Sequence, residues 1–240
     1  MQFPRPLIPA RLIRRYNRFL SDMVIEDTGE EVRAHCPNPG AMLGLKEPGL
    51  RCWLEPNDDP KKKLRYGWRL VELGGGHWAG IDTGVPNRVV GEALRGRAIA
   101  PLADYTGVRA EVKYGKNSRV DFVLTEGGLP DAYVEVKNVH LLRRGDLAEF
   151  PDCVTTRGAK HLEELAQMVA QGHRAVMLYL VQRTDCGRLG FAADLDPAYA
   201  AGVLRARAAG VEILCYDTRI DPGGVQLGRQ LPLAMAENSA

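Results

Sequence analysis

Through residues 9–81 the chain reads as short β-rich stretches broken by turns. Leu12, Ile13 and Phe19 to Ile25 form a first, long strand candidate, Asp27-Thr28-Gly29 turns the chain, and Glu31 to Cys36 continues as a strand. Pro37-Asn38-Pro39-Gly40 breaks the pattern, and Ala41 to Leu45 predicts one helical turn. Strands follow at Arg51 to Leu54 and Trp68 to Leu73, separated by the polar loop Glu55 to Lys63. A short strand near Trp78 to Ile81 comes after the turn Gly74-Gly75-Gly76. This density of strands fits a small β-barrel, an OB-fold or another type.

After residue 82 the period changes. Asn87 reads as an N-cap, and Arg88 to Ala98 carries Val90, Ala93 and Leu94 at helical spacing. Three strand-like runs follow: Gly107 to Tyr114, Arg119 to Thr125 and Asp131 to Val139. Arg157 to Gln171 is the clearest helix, with an apolar stripe of Leu162, Leu165, Ala166 and Val169 and a Gly172 stop. Ala175 to Gln182 reads as a buried strand. Asp196-Pro197 opens a last helix that Gly210 closes, and Val211 to Tyr216 is a strand. Strands alternating with helices indicate an α/β or α+β domain.

Composition narrows the class. Lys plus Arg is 32 and Asp plus Glu is 30, which excludes a polybasic protein. Hydrophobic content is 45%, enough for an ordinary buried core. Cysteines 36, 52, 153, 186 and 215 show no C-x-x-C spacing, so neither a disulfide framework nor a zinc site is indicated, and a reducing cytoplasm is expected. The longest strictly apolar run, Ala175 to Val181, is too short to span a membrane, and five arginines in the first 21 residues break any signal-peptide core. Residues 1–80 hold 13 basic against 10 acidic side chains, a small excess that could meet a polyanion.

The middle hairpin carries the chemistry. In Arg119 to Leu124, Val120, Phe122 and Leu124 share one face and Arg119 and Asp121 the other. In Tyr133 to Lys137, Val134 and Val136 share one face and Glu135 and Lys137 the other. If the turn Glu126-Gly127-Gly128-Leu129-Pro130 pairs Thr125 with Asp131, Asp121 falls opposite Glu135. Facing carboxylates repel, and a divalent cation removes that cost. All-oxygen ligands suit Mg²⁺ or Mn²⁺. Lys137 shares that face and can orient a water or offset phosphate charge. Acid, acid and lysine around a metal are the parts of phosphodiester hydrolysis, and Glu92 on the preceding helix is a candidate further ligand. The bland alternative is that Asp121 pairs with Lys137 or Arg119 on a solvated sheet face.

Candidate phosphate contacts are Arg11, Arg14, Arg15 and Arg18 near the N-terminus, and Arg157 and Lys160 at a Thr-rich helix entry. Arg157, Lys160, Glu164, Gln167 and Gln171 read as one polar stripe, and His161 is the one histidine with a functional setting. The chain has no G-x-G-x-x-G, Walker lysine loop or nucleophile elbow.

HCPNPGAM at 35–42, SRVDFVL at 118–124, YVEVKNV at 133–139 and FPDCVTTRGAKHLEEL at 150–165 resemble, in this order, the sugar fermentation stimulation protein family. Pro39 stands where that family would have Thr, and Cys153 where Ala is usual. The resemblance implies an α/β chain (α+β overall): an OB-like β-barrel at 1–81, then at 82–240 a domain similar to PD-(D/E)XK nucleases with a central mixed sheet flanked by helices. In those terms Asp121 matches the first acid, Glu135 the second, Lys137 the lysine and Glu92 the helix acid. It also implies DNA binding and a link to sugar-utilisation genes. Three readings follow: a DNA-binding, Mg²⁺- or Mn²⁺-dependent nuclease, with RNA left open; a non-catalytic DNA-binding regulator; or a protein whose acidic residues form salt bridges. No membrane partner is expected, and a homodimer is left open.

Overall fold

In the computed structural model, residues 1–114 and 118–234 are described. The first unit is built from β1 (Ile8–Tyr16), β2 (Leu20–Ile25), β3 (Glu31–His35), β4 (Arg51–Pro56), β5 (Tyr66–Glu72) and β6 (Trp78–Gly80). The strand order is β3-β2-β1-β4-β5-β6, and a parallel pairing of Ala34 with Tyr66 joins β3 to β5, closing a five-stranded barrel. Closure leaves no free edge on those five strands. Alternation puts Leu12, Met23, Ala34, Leu54 and Trp68 inside, and all five are buried in one cluster.

Two local expectations differ. The first strand candidate is a hairpin, β1 and β2, turned at Asn17 (φ 48°) and Arg18 (φ 61°). Neither is Gly, so the turn carries no glycine signal. Residues 41–45 form no helix; Met42 sits at φ 50°, outside right-handed helical space.

The second unit begins with α1 (Val85–Arg95) and continues through β7 (Gly107–Tyr114), β8 (Ser118–Thr125), β9 (Ala132–Val139), β10 (Leu141–Arg144) and β11 (Leu147–Phe150). Then come α2 (Thr156–Ala170), β12 (Arg174–Val181), β13 (Arg188–Phe191), α3 (Pro197–Ala208), β14 (Glu212–Asp221) and β15 (Gly224–Gln230). A six-stranded mixed sheet runs β15-β14-β12-β9-β8-β7, with β9, β12 and β14 parallel. α2 and α3 are the crossovers that parallel neighbours require. They cover one face, where Leu162, Leu165 and Val203 pack on Met177 and Tyr179. α1 covers the other, with Val90 and Leu94 among Phe122, Val134 and Leu178. β12 is buried on both faces, which explains its unbroken apolar run.

Caps set the helix ends. Thr155 accepts from the Gly158 amide and Asp196 from the Tyr199 amide, while Gly172 (φ 87°) and Gly210 (φ 98°) follow the helices they end. Asn87 is not a cap: α1 starts at Val85, after Gly84, with Pro86 in its first turn. Among the described residues no helix is long and apolar enough to cross a membrane, and all five cysteines are free.

Side chains tie the two units together. Gln182 Nε2 donates to Asp82 O (3.0 Å) and to Asn138 Oδ1 (2.7 Å), while the Gln182 backbone carbonyl receives the Gly80 amide. Asp152, just before α2, receives the Ala41 and Met42 amides of the barrel. Arg15 donates to the carbonyls of Asn38 and Gly40 and braces the same loop.

Candidate metal centre

β8 and β9 pair in the register set by their five-residue turn: Leu124 faces Ala132, Val123 faces Tyr133 and Phe122 faces Val134. The ladder then stops, one step short of Asp121 and Glu135. Asp121 Oδ2 receives the Val136 amide at 2.7 Å, and Oδ1 receives Asn87 Nδ2 from the first turn of α1 at 2.6 Å. A side chain thus takes the amide that a strand partner would otherwise use, and the carboxylate is pinned where the two strands part.

Glu135 and Lys137, two residues apart on β9, share a face. Glu135 is 3% exposed. Its Oε1 accepts from Lys137 Nζ at 2.7 Å and from His161 Nδ1 of α2. Arg157 Nε donates to His161 Nε2 at 3.4 Å, so the imidazole proton belongs on Nδ1, the atom facing Glu135. Glu135 Oε2 is buried without a partner. One turn further along α2, Glu164 is also buried, and its Oε1 receives Ser118 Oγ at 2.7 Å.

The two strand carboxylates are moved in opposite directions. Burial, then the charge of Glu135, push Asp121 up to about 6, against the Val136 and Asn87 bonds and the Lys137 charge. Burial also resists ionisation of Glu135, but the His161 bond and the Lys137 charge outweigh it and hold Glu135 below the usual carboxylate range. The site therefore keeps one firm anion beside one carboxylate that gives up its proton reluctantly.

A divalent cation fits this donor set. The oxygens are hard ligands, two like charges lie together, and Glu135 Oε2 has no other partner. Among the described residues, no three His, Cys, Asp or Glu side chains stand close enough to enclose a cation in this arrangement.

Of the residues singled out from the sequence, Asp121, Glu135, Lys137, Arg157 and Lys160 come together here. Lys160 Nζ lies 3.5 Å from Glu164. Glu92 does not join them. It points about 140° around α1 from Asn87, is 59% exposed, and its carboxylate pairs with the Met1 ammonium at 2.7 Å. Arg11 pairs with Glu26 and Arg14 with Asp22 on the barrel, and Arg15 is spent on the Asn38–Gly40 loop. Arg18 is exposed in the β1–β2 turn, with its charge felt at Cys153 beside α2.

Residues 13–81 match the SfsA N-terminal OB domain, and residues 84–224 match the sugar fermentation stimulation protein RE domain. The chain belongs to the SfsA family. It is 76% identical over 97% of its length to a sugar fermentation stimulation protein homolog of Dinoroseobacter shibae, covering 96% of that protein. It is 64% identical to the homolog of Jannaschia sp., covering 97% of each chain. The structure of Pyrococcus furiosus SfsA in complex with Ca²⁺ superposes with a TM-score of 0.86 at 26% identity, covering 98% of both chains.

The spacing puts Glu164 on the polar stripe of α2, yet it is buried with His161. The signal lay in spacing. Glu164 is about 60° from His161 and about 40° from Met168 on the helical wheel, inside the arc that faces the core. Asn87 reads as a cap from its neighbours alone, because its true partner, Asp121, lies 34 positions away in sequence.

Proposed function

We propose that this protein binds DNA and hydrolyses its phosphodiester bonds with Mg²⁺ or Mn²⁺ at Asp121 and Glu135. The observation that carries this reading is the parting of β8 and β9 around two carboxylates, with Lys137 on the same face. A cation bound there would polarise a phosphate and acidify the attacking water. Asn87 and the Val136 amide orient Asp121, and His161 orients Glu135. The Lys137 ammonium, 14% exposed, stands where it can offset charge on a phosphate or hold a water. The Ca²⁺ named with the Pyrococcus furiosus protein supports cation binding by this chain.

The nucleic-acid side of the reading is supported by a cleft of about 640 Å³ on the barrel, lined in part by Arg5, His35, Lys62, Lys63, Tyr66 and Arg88. Arg88 places one wall of this cleft on α1. At its edge, the exposed ring of Phe19 stacks on His35 at 6.5 Å and 17°, an arrangement open to an unpaired base.

The test is cleavage of labelled single- and double-stranded DNA with Mg²⁺ or Mn²⁺. Wild type cuts; Asp121→Ala and Glu135→Ala do not. Salt-sensitive binding without cleavage by any of the three rejects hydrolysis. It would favour the second reading, a non-catalytic DNA-binding regulator, for which the prior engagement of Glu135 Oε1 by Lys137 and His161 speaks.

A further inference from the structure

Buried polar atoms without a partner are not spread evenly through this molecule. Among the described residues, Tyr114 Oη, Glu135 Oε2 and Glu164 Oε2 are three such atoms, and they belong to one region, between β7, β8, β9 and α2. All three side chains are more than nine-tenths buried, at 7%, 3% and 5% exposed. The Tyr114 hydroxyl faces the same group: burial raises its pKa first, the charges of Glu135, Glu164 and Asp121 raise it further, and a contact with the Glu164 carboxylate, longer than a full hydrogen bond, does the same. A buried carboxylate oxygen left without a donor is costly, so its persistence here points to an occupant.

Glu164 reaches this space because it follows His161 by three residues on α2, which aims both at the sheet, His161 at Glu135 of β9 and Glu164 at Ser118 of β8. Its Oε1 is fixed by Ser118 Oγ at 2.7 Å, which leaves Oε2 directed elsewhere. Lys137 and His161 engage Glu135 through Oε1, and Ser118 and Lys160 engage Glu164 through Oε1, so it is the two Oε2 atoms that remain open.

We propose that Glu164 is a further cation-holding residue, so that a divalent cation in this space is shared between Glu135 on β9 and Glu164 on α2. This rests on the cation-binding reading of the site and extends it to a helix that the strand motif does not include. The cation would then tie α2, with Arg157 and Lys160 on it, to the strands that carry Asp121 and Glu135. The helix carboxylate expected from Glu92 on α1 would be supplied instead from α2.

Terbium(III) is the probe, titrated into the full chain, with Mn²⁺ as competitor. An ion in this space is expected to be sensitised through Tyr114, whose hydroxyl is buried beside the same carboxylates. Glu164→Gln is expected to weaken Tb³⁺ and Mn²⁺ binding by tenfold or more, with the far-ultraviolet dichroism unchanged. Tyr114→Phe is expected to dim the tyrosine-sensitised emission while Mn²⁺ affinity stays at the wild-type value. If Glu164→Gln binds as wild type does while Glu135→Gln does not bind, the ion is held by the strands alone; the inference fails and the functional reading stands. If wild type binds neither ion, the functional reading itself fails and the inference with it. Should Glu164→Gln not fold, Glu164→Asp withdraws the carboxylate by one methylene; undiminished affinity there overturns the inference.

Discussion

Asp152 and Asp121 are both largely buried, both hydrogen-bonded, and their surroundings move them in opposite directions. Asp152 Oδ2 receives the Ala41 amide at 2.9 Å and the Met42 amide at 3.3 Å, with His140 Nε2 at 3.4 Å. Burial resists its ionisation, but the His140 bond and charge outweigh burial and hold it at about 2. Asp121 has an amide and an Asn87 amide group, yet it stands at about 6, because burial is joined there by the charge of Glu135. Counting donors does not separate the two. The neighbouring charge does: Asp152 faces a base, and Asp121 faces another acid. One carboxylate clamps the barrel to the second unit. The other stands beside a like charge whose repulsion lowers stability.

The clamp gives the largest expected effect. Asp152→Ala leaves two amides without their acceptor and His140 without its facing carboxylate, and is expected to lower unfolding stability by about 3 kcal/mol in denaturant titration at neutral pH. A loss below about 1 kcal/mol would remove the contrast. The clamp also tolerates no bulk: a Cβ added at Gly40 would lie 2.7 Å from Asp152 Oδ2.

Asp121→Asn should move stability the other way, raising that of the cation-free protein at pH 7. The folded state holds the Asp121 proton up to about 6, whereas the unfolded chain releases it near 3.8. Stability therefore falls as pH rises through that window, and the penalty persists at pH 7, with an upper bound of about 3 kcal/mol. Asp152 has the opposite sign, since its folded value of about 2 lies below the ordinary 3.8. Its contribution is complete above about pH 4 and is lost as pH falls toward 2. Stability measured against pH in wild type, Asp152→Asn and Asp121→Asn should lose the acid limb in the first variant and the upper limb in the second. A destabilised Asp121→Asn would break the comparison.

Smaller effects sharpen it. Phe19→Ala is expected to weaken single-stranded DNA binding by about 1–2 kcal/mol, with duplex binding changed much less, in titrations at fixed salt. Equal losses on both substrates would remove the stacking role. Glu92→Gln breaks an ion pair whose carboxylate is 59% exposed. It should alter thermal stability by no more than about 1 kcal/mol and leave cation affinity unchanged; a loss of affinity would return Glu92 to the site.

Much of this protein is local and was therefore readable from residue order. The β8–β9 register follows from a five-residue turn and strict alternation, so Phe122 faces Val134 as the pattern requires. α2 is framed by the Thr155 cap and Gly172, and α3 by Asp196 and Gly210. A barrel followed by an α/β domain is visible in the change of period after residue 82. The small sheet β10-β11-β13 was not visible, because β11 and β13 are parallel partners 41 residues apart, Leu147 facing Arg188, and each is only four residues long. Nor could residue order divide the charged side chains between chemistry and scaffolding. Arg15 went to a loop and Glu92 to the chain's own ammonium, while Glu164 turned inward beside His161. Period, turns and caps are set by neighbours in sequence, so the sequence by itself determined the elements and the pairing that brings Asp121 toward Glu135. Which charge meets which is decided by packing across the sheet, where burial and the nearest opposite charge outweigh anything a short segment encodes.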